Sequence, residues 1–292
     1  METLIKTKTM KNLLFNLHSH CHYCDGSSEP EKYIEEAIRQ GFHTFGFSSH
    51  APVPFQNNFA ISNETQLKKY AAEIRGLQLK YQKVLNIFLA LEIDFIPGIT
   101  YGFDRFNMIA GLDYIIGGVH LLKHPEKPDL WFIDGPRQET YDDGLKTIFD
   151  GDIKLAVKTY WRQIRQMVST QNFNIVAHLD KIKMHNKNRF FTEDEHWYQE
   201  ELNETLQLIA QKGLIVEVNT RGIYKGRSDE LFPGVGALKK ILDFNIPITL
   251  NSDAHKPEEL SSYFDEARGF LKKIGFTKLM LITKKGWDEV GV

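Results

Sequence analysis

Two short patterns place imidazole and carboxylate side chains where one cation could take both: His18-Ser-His20 and Asp253-Ala-His255. In extended backbone, residues two apart face the same side, so each pair can present both donors to a single ion. Between them lie Asp25, His50, Glu92, His120 and His178, each at or just beyond a short apolar run. Imidazole and carboxylate suit Zn, Mn and Fe, and a carboxylate can bridge two ions. Two cations about 3.5–4 Å apart can activate a water and stabilise both oxygens of an in-line displacement at phosphorus. One strand-end histidine is more often structural than ligating, but nine candidates at successive strand ends read together as a metal site. Glu92, Asp253 and His255 are expected nearest the chemistry. His22 continues the alternation and could replace His18; the apolar run ending at Leu17 favours His18. Cys21 and Cys24 have the spacing of half a zinc ribbon, but there is no second pair, so no separate zinc knuckle is expected. His43, His185 and His196 are expected on the surface or on helices, and His124 in a long segment within reach of a substrate.

The elements that must carry these donors are short. Apolar runs at 13–17, 44–48, 85–91, 114–119, 174–177, 214–218 and 246–250 read as strands buried on both faces. A further run at 279–283 could be an eighth or an edge strand. Helical stripes fall between them. Ser28 and Glu31 make a capping box around Pro30, with Ile34, Ala37 and Ile38 inward and Gly41 as the stop. Asn63 or Ser62 can cap the next, and Thr192 with Glu195 a later one ended by Gly213. Strand and helix alternating about seven times predict an α/β fold: one distorted seven-stranded β/α barrel, TIM-barrel-like, over about 13–285 of a single domain spanning 1–292. Such barrels build their sites at the C-terminal strand ends, where these donors fall. The segment 121–143 is weakly patterned and rich in Pro, Asp and Gly, so it is expected to be an active-site loop.

Bulk composition narrows the partners. The 292 residues carry 36 Lys and Arg against 38 Asp and Glu, a balance that offers no basic face to nucleic acid or an anionic membrane. Residues 1–11 lack an apolar leader core, and no run approaches a membrane span. Two cysteines form no disulfide framework, which fits a cytoplasmic protein acting on a small molecule.

The order His-x-His, Asp, His, Glu, His, His, Asp-x-His resembles the polymerase and histidinol phosphatase (PHP) superfamily. Its first motif, His-x-His-x-x-x-x-Asp-Gly, is matched by His18-Ser-His20-Cys-His-Tyr-Cys-Asp25-Gly26, and the likeness runs from about Asn16 to Gly275. Ser-Ser-His-Ala-Pro at 48–52, Leu-Glu-Ile-Asp at 91–94, Gly-Gly-Val-His at 117–120, Ala-His-Leu-Asp at 177–180 and Trp-Phe-Ile-Asp at 131–134 are similar to its histidinol-phosphatase branch. The resemblance implies two to three divalent cations: one on His18, His20, Glu92 and Asp253, one on Glu92, His120 and His178, and one on Asp25, His50 and His255. It also implies a phosphoric monoester hydrolase that converts L-histidinol phosphate to L-histidinol and phosphate in histidine biosynthesis, through a hydroxide held by the cations. Arg221, Arg227 and Lys183 are the expected phosphate binders, with Lys181 beside them. Trp131, Phe132 and Asp134 are candidates for a pocket that receives an imidazole and an amine. The alternatives are the same chemistry on another small phosphate ester or a nucleotide, a DNA-end nuclease, and a barrel that binds metal for stability alone.

Overall fold

The short apolar runs lie side by side because each is buried on both faces: every residue of 44–47, 114–118, 215–219 and 248–251 is buried. The computed structural model describes residues 13–292; the stretch 1–11, read above for a leader, lies outside the described residues. In chain order the strands are β1 (Phe15–Asn16), β2 (Thr44–Phe47), β3 (Asn86–Asp94), β4 (Tyr114–Gly118), β5 (Leu121–Lys123), β6 (Leu130–Phe132), β7 (Ile175–Val176), β8 (Ile215–Asn219), β9 (Ile248–Asn251), β10 (Lys278–Thr283) and β11 (Gly286–Gly291). The helices are α1 (Pro30–Gln40), α2 (Glu64–Tyr81), α3 (Phe103–Ala110), α4 (Gln138–Ile148), α5 (Ile153–Thr170), α6 (His196–Lys212), α7 (Arg221–Tyr224), α8 (Val235–Asp243) and α9 (Phe264–Ile274). No described helix is long and apolar enough to cross a membrane.

Seven strands form one parallel sheet in the order β1-β2-β3-β4-β7-β8-β9, curled into a nearly closed barrel with helices around it. Side chains help to close the seam between β1 and β9. The Asn16 amide donates to Ser252 Oγ at 2.8 Å, the Leu17 N–H donates to Asn251 Oδ1 at 2.8 Å, and Ser19 bridges Ala254. The seam therefore passes directly beside His18 and His20.

Several expectations change: among them, Ile38 is exposed and Thr192 does not cap α6, whose N-cap position is Glu195. The run at 279–283 belongs to β10, which pairs antiparallel with β11 outside the barrel sheet. Leu279 and Leu281 are buried while Lys278 is exposed, the alternation of a one-faced hairpin rather than a barrel stave. Segment 121–143 is not an open loop either. It makes the β5–β6 hairpin and the first turns of α4, with Trp131 buried against Tyr141 at 4.6 Å between ring centroids. Gly144 makes room for it: a Cβ there would sit 2.1 Å from Trp131 Cδ1. Finally, Ser28 does not cap α1. Glu29 occupies that position without a side-chain bond, Pro30 opens the helix, and Glu31 pairs instead with Lys80 at 2.5 Å. The stops at Gly41 and Gly213 are left-handed caps, and Asn63 caps α2 by accepting from the Gln66 N–H.

Candidate active site

All nine donors meet at one mouth of the barrel, where the C-terminal ends of the strands point. Glu92, near the end of β3, is the hub. Its Oε2 lies 3.1 Å from His18 Nε2, 3.4 Å from His20 Nε2 and 3.3 Å from His50 Nδ1. Its Oε1 lies 2.9 Å from His178 Nε2 and 3.3 Å from His120 Nε2. Asp253 Oδ1 is 3.4 Å from His20 Nε2 and 3.5 Å from His255 Nδ1, and Asp25 Oδ1 is 3.1 Å from His255 Nε2. Donor atoms fall within 4.8 Å of one another in four overlapping groups: His18, His20, Asp253; Glu92, His120, His178; His20, Asp25, His50, His255; and His50, Asp94, His120. His22 turns away to Glu29 at 3.1 Å, which leaves His18 in the cluster. Cys24 lies 3.5 Å from His20 Nδ1, and Cys21 is buried against Ser49. His124 lies outside the cavity, where its Nδ1 accepts two backbone N–H groups. His185 is buried rather than at the surface.

A second layer of carboxylates aims the rings. His18 Nδ1 bonds Glu217 Oε1 at 2.6 Å, and His120 Nδ1 bonds Asp94 Oδ1 at 2.6 Å. Each carboxylate claims the Nδ1 proton, so that in the neutral ring the Nε2 lone pair faces Glu92, the arrangement that orients metal-binding histidines. The backbone also adapts: His178 and Asp253 have φ of +25° and +52°, conformations that L-residues other than Asn and Asp seldom adopt.

Burial is the largest influence on the clustered imidazoles and on Glu92 and Asp253, and the neighbours decide whether it wins. It pulls His18 and His120 down, yet carboxylates push both up to about 10: Glu217, Glu92 and Asp253 for His18, and Asp94, Glu92 and Asp134 for His120. His255 is lowered to about 4 by burial and then by His20, and burial also lowers His50 and His178. Burial opposes ionisation of Glu92 and Asp253, but His18 and other cations hold both well below the usual carboxylate range. Without ions, protons on His18 and His120 stand where cations would. A group titrating near 10 is protonated throughout pH 6–8, so uptake of an ion must expel that proton. Apparent affinity for Zn is then expected to fall by about 100-fold per expelled proton between pH 8 and pH 6. Competition with a chromophoric chelator measures this, and an affinity independent of pH would contradict it.

Above the donors opens a cavity of about 360 Å³. Arg221, Arg227 and Lys181 line it. Arg221 is partly committed, donating to the Asp253 carbonyl at 2.7 Å, and Lys181 Nζ lies 3.0 Å from Asp134. Arg227 has no carboxylate within ion-pair distance among the described residues. Lys183 is not brought to this cavity. Its ammonium lies 2.7 Å from Glu193, 3.0 Å from Asp180 and 3.0 Å from Glu230, beside a different depression. Lys181 and Lys183 share one short 3-10 turn, on which residues two apart point in different directions.

The family model described as the PHP domain matches residues 16–221, well over half of the chain. The chain belongs to the PHP domain family. Within it, the relatives place the chain in the histidinol-phosphatase branch. It is 26% identical over 265 residues to a Deinococcus radiodurans protein named "Probable histidinol-phosphatase", covering 90% of this chain and 94% of that one. It is also 26% identical over 275 residues to the histidinol-phosphatase of Lactococcus lactis, covering 92% and 94%. The fold is that of the Lactococcus lactis histidinol phosphate phosphatase crystal structure, with a TM-score of 0.68 and 22% identity over 94% of this chain and 98% of that one.

The PHP donor set fits cations on its own chemistry. His50 Nδ1 is buried with no hydrogen-bond partner although it faces Glu92, the condition of a lone pair reserved for a ligand. Gly118 keeps the floor open, since a Cβ there would lie 3.3 Å from Glu92, His120 and His178 alike. The supporting residues Glu217 and Asp94 were not singled out above. Glu217 carried a signal: a carboxylate inside Ile-Val-Glu-Val-Asn, a strand buried on both faces, must have partners. Asp94 stands in the quoted Leu-Glu-Ile-Asp stretch, but only the pairing of β3 with β4 shows that it reaches His120.

Proposed function

We propose that this PHP protein is a metal-dependent phosphomonoesterase whose substrate is L-histidinol phosphate, the described chain acting as one catalytic unit. The observation that carries the reading is Glu92 meeting five imidazoles beneath a cavity walled by Arg227, Arg221 and Lys181. The substrate is supported by the branch, and by a Lactococcus lactis relative whose structure is described as complexed with Zn, L-histidinol and phosphate. The ions are two to three of Zn, Mn or Fe, held by His18, His20, Glu92 and Asp253, by Glu92, His120 and His178, and by Asp25, His50 and His255. Bound there, divalent cations supply Lewis-acid neutralisation of phosphoryl charge and lower the pKa of water.

The chain's own groups do the rest. Arg227 offers an uncommitted planar fork to two phosphoryl oxygens. Lys181 is buried, and burial would drive off its proton; Asp134 and Asp253 outweigh that and keep it an ammonium. It therefore adds a fixed positive charge beside the donors, and Asp134 holds it in place. Arg221 is braced by the Asp253 carbonyl and by Tyr224, so it contributes charge with little freedom to move.

Phosphate release from a panel of esters tests the proposal. L-histidinol phosphate is expected to exceed sugar phosphates and nucleotides by at least about tenfold in kcat/KM, within what a few specific contacts supply. Chelation should abolish turnover, and Zn or Mn should restore it. A sugar phosphate or nucleotide turned over as well as histidinol phosphate would reject the substrate; undiminished activity after exhaustive chelation would reject the metal requirement.

A further inference from the structure

Most residues lining the cavity are ionisable, and the exceptions are Asn58, Phe59, Phe132 and Pro136. The two phenylalanines come from separate places: Phe59 from the segment after β2, and Phe132 from the end of β6. Their rings are nearly parallel, 14° apart, with centroids 6.4 Å from each other. Phe59 also stands edge-on to His50, 5.4 Å between centroids, so this aromatic wall begins directly at the donor cluster.

The β6 hairpin makes the exposure of Phe132 informative. Trp131 and Phe132 are neighbours on one strand, and the pleat sends Trp131 into the core while Phe132 keeps 36% of its surface open. Trp131 is therefore not a pocket residue, and Phe59, from another segment, takes the place expected for it. A large apolar face open at the rim of a charged cavity gains its burial energy when a ligand covers it. A phosphate ester held by Arg227 and the donors must extend its organic part away from that charge. Phe59, Phe132 and Pro136 are the apolar surfaces available to receive it.

We propose that Phe59 and Phe132 receive the ring of the leaving alcohol and so determine the preference for esters carrying a flat heteroaromatic group. This rests on the phosphomonoesterase reading and deepens it by assigning the specificity of the same site to two residues outside the donor cluster. Stacked or edge-on ring contacts favour imidazole over an alkyl chain of similar size.

The test uses metal-loaded protein, wild type and the variants Phe59→Leu and Phe132→Leu, which keep apolar bulk and remove the π face. The first readout is the ratio of kcat/KM for benzyl phosphate to that for ethyl phosphate, two esters whose leaving alkoxides have similar basicity. The second is binding of L-histidinol by calorimetry. Wild type is expected to favour the benzyl ester, and each variant to lower that ratio by about 3- to 10-fold, the range that single aromatic contacts supply. The affinity for L-histidinol should fall by a similar factor, through KM rather than kcat for the phosphate ester. A wild-type enzyme without ring preference, or variants that keep the wild-type ratio, would overturn the proposal. The benzyl and ethyl pair does not depend on histidinol phosphate being the substrate. Failure of that substrate with the ring preference intact removes the earlier assignment and leaves this one standing.

Discussion

Glu217→Gln is expected to lower the affinity for divalent cations, and with it activity at limiting metal, by about 10- to 100-fold. The residue lines no part of the cavity; it lies fully buried behind the donors. Its Oε1 takes His18 Nδ1 at 2.6 Å and the Asn251 amide at 3.0 Å, while Oε2 takes the His178 N–H at 3.0 Å and the Asn219 amide at 3.0 Å. Both oxygens thus face two donors each. A glutamine has one oxygen and one NH₂, so one of those two pairs must meet a donor instead of an acceptor. If the amide nitrogen faces His18, the imidazole keeps its neutral proton on Nε2, and the lone pair that faced Glu92 is gone. If it faces His178, the backbone N–H that steadies a residue at φ +25° loses its acceptor. Either way a proposed ligand is disturbed while all nine donors stay in place. Elemental analysis after dialysis against limiting Zn, with activity regained at high Zn, is the readout that a general packing defect would not reproduce. Full occupancy of the variant at limiting Zn would dismiss this role.

The donor cluster was legible in the sequence because its residues obey simple spacing rules, whereas the organic end of the cavity does not. His18 and His20 follow an apolar run and sit two apart, and Asp253 and His255 repeat that pattern, so extended geometry alone puts each pair on one side. His22 satisfies the same alternation, and only the turn at 22–25 shows that it points outward to Glu29. Lys181 and Lys183 are indistinguishable as residue types; only the tight 3-10 turn they share separates them in direction. Phe59 lies in a segment with no strand or helix pattern, and its partner Phe132 is more than seventy residues away, so no local rule pairs them. The same contrast holds for the barrel. Its staves are continuous apolar runs and are readable as such, while the seam depends on Asn16, Asn251 and Ser252 exchanging side-chain hydrogen bonds over more than two hundred positions. The β10–β11 hairpin resembled a further stave until its exposed Lys278 and Glu289 are seen to pair on its outer face.

Glu92→Gln is expected to have the largest effect of any single isosteric change, lowering activity by about 100- to 1,000-fold even at saturating metal. Asp253 reaches His18, His20 and His255, and Asp25 reaches His20, His50 and His255; neither touches His120 or His178. Among the nine donors, Glu92 is the carboxylate that faces both halves of the cluster, with one oxygen toward His18, His20 and His50 and the other toward His120 and His178. The amide carries no charge, and its NH₂ turns a donor toward one half whichever way it is placed. Removing one preorganised electrostatic group from an active site raises the barrier by about 2.7–4 kcal/mol, which at roughly 1.4 kcal/mol per decade gives the expected rate loss. Asp253→Asn should do less to the His120 and His178 half, because it leaves every Glu92 contact in place. Cobalt substitution separates the two variants: the absorption of the bound ions should change for both halves in Glu92→Gln and mainly for the His18 and His20 half in Asp253→Asn. A Glu92→Gln protein that turned over within about tenfold of wild type, a difference of roughly 1.4 kcal/mol, at equal metal content would show that the two halves work without a shared carboxylate.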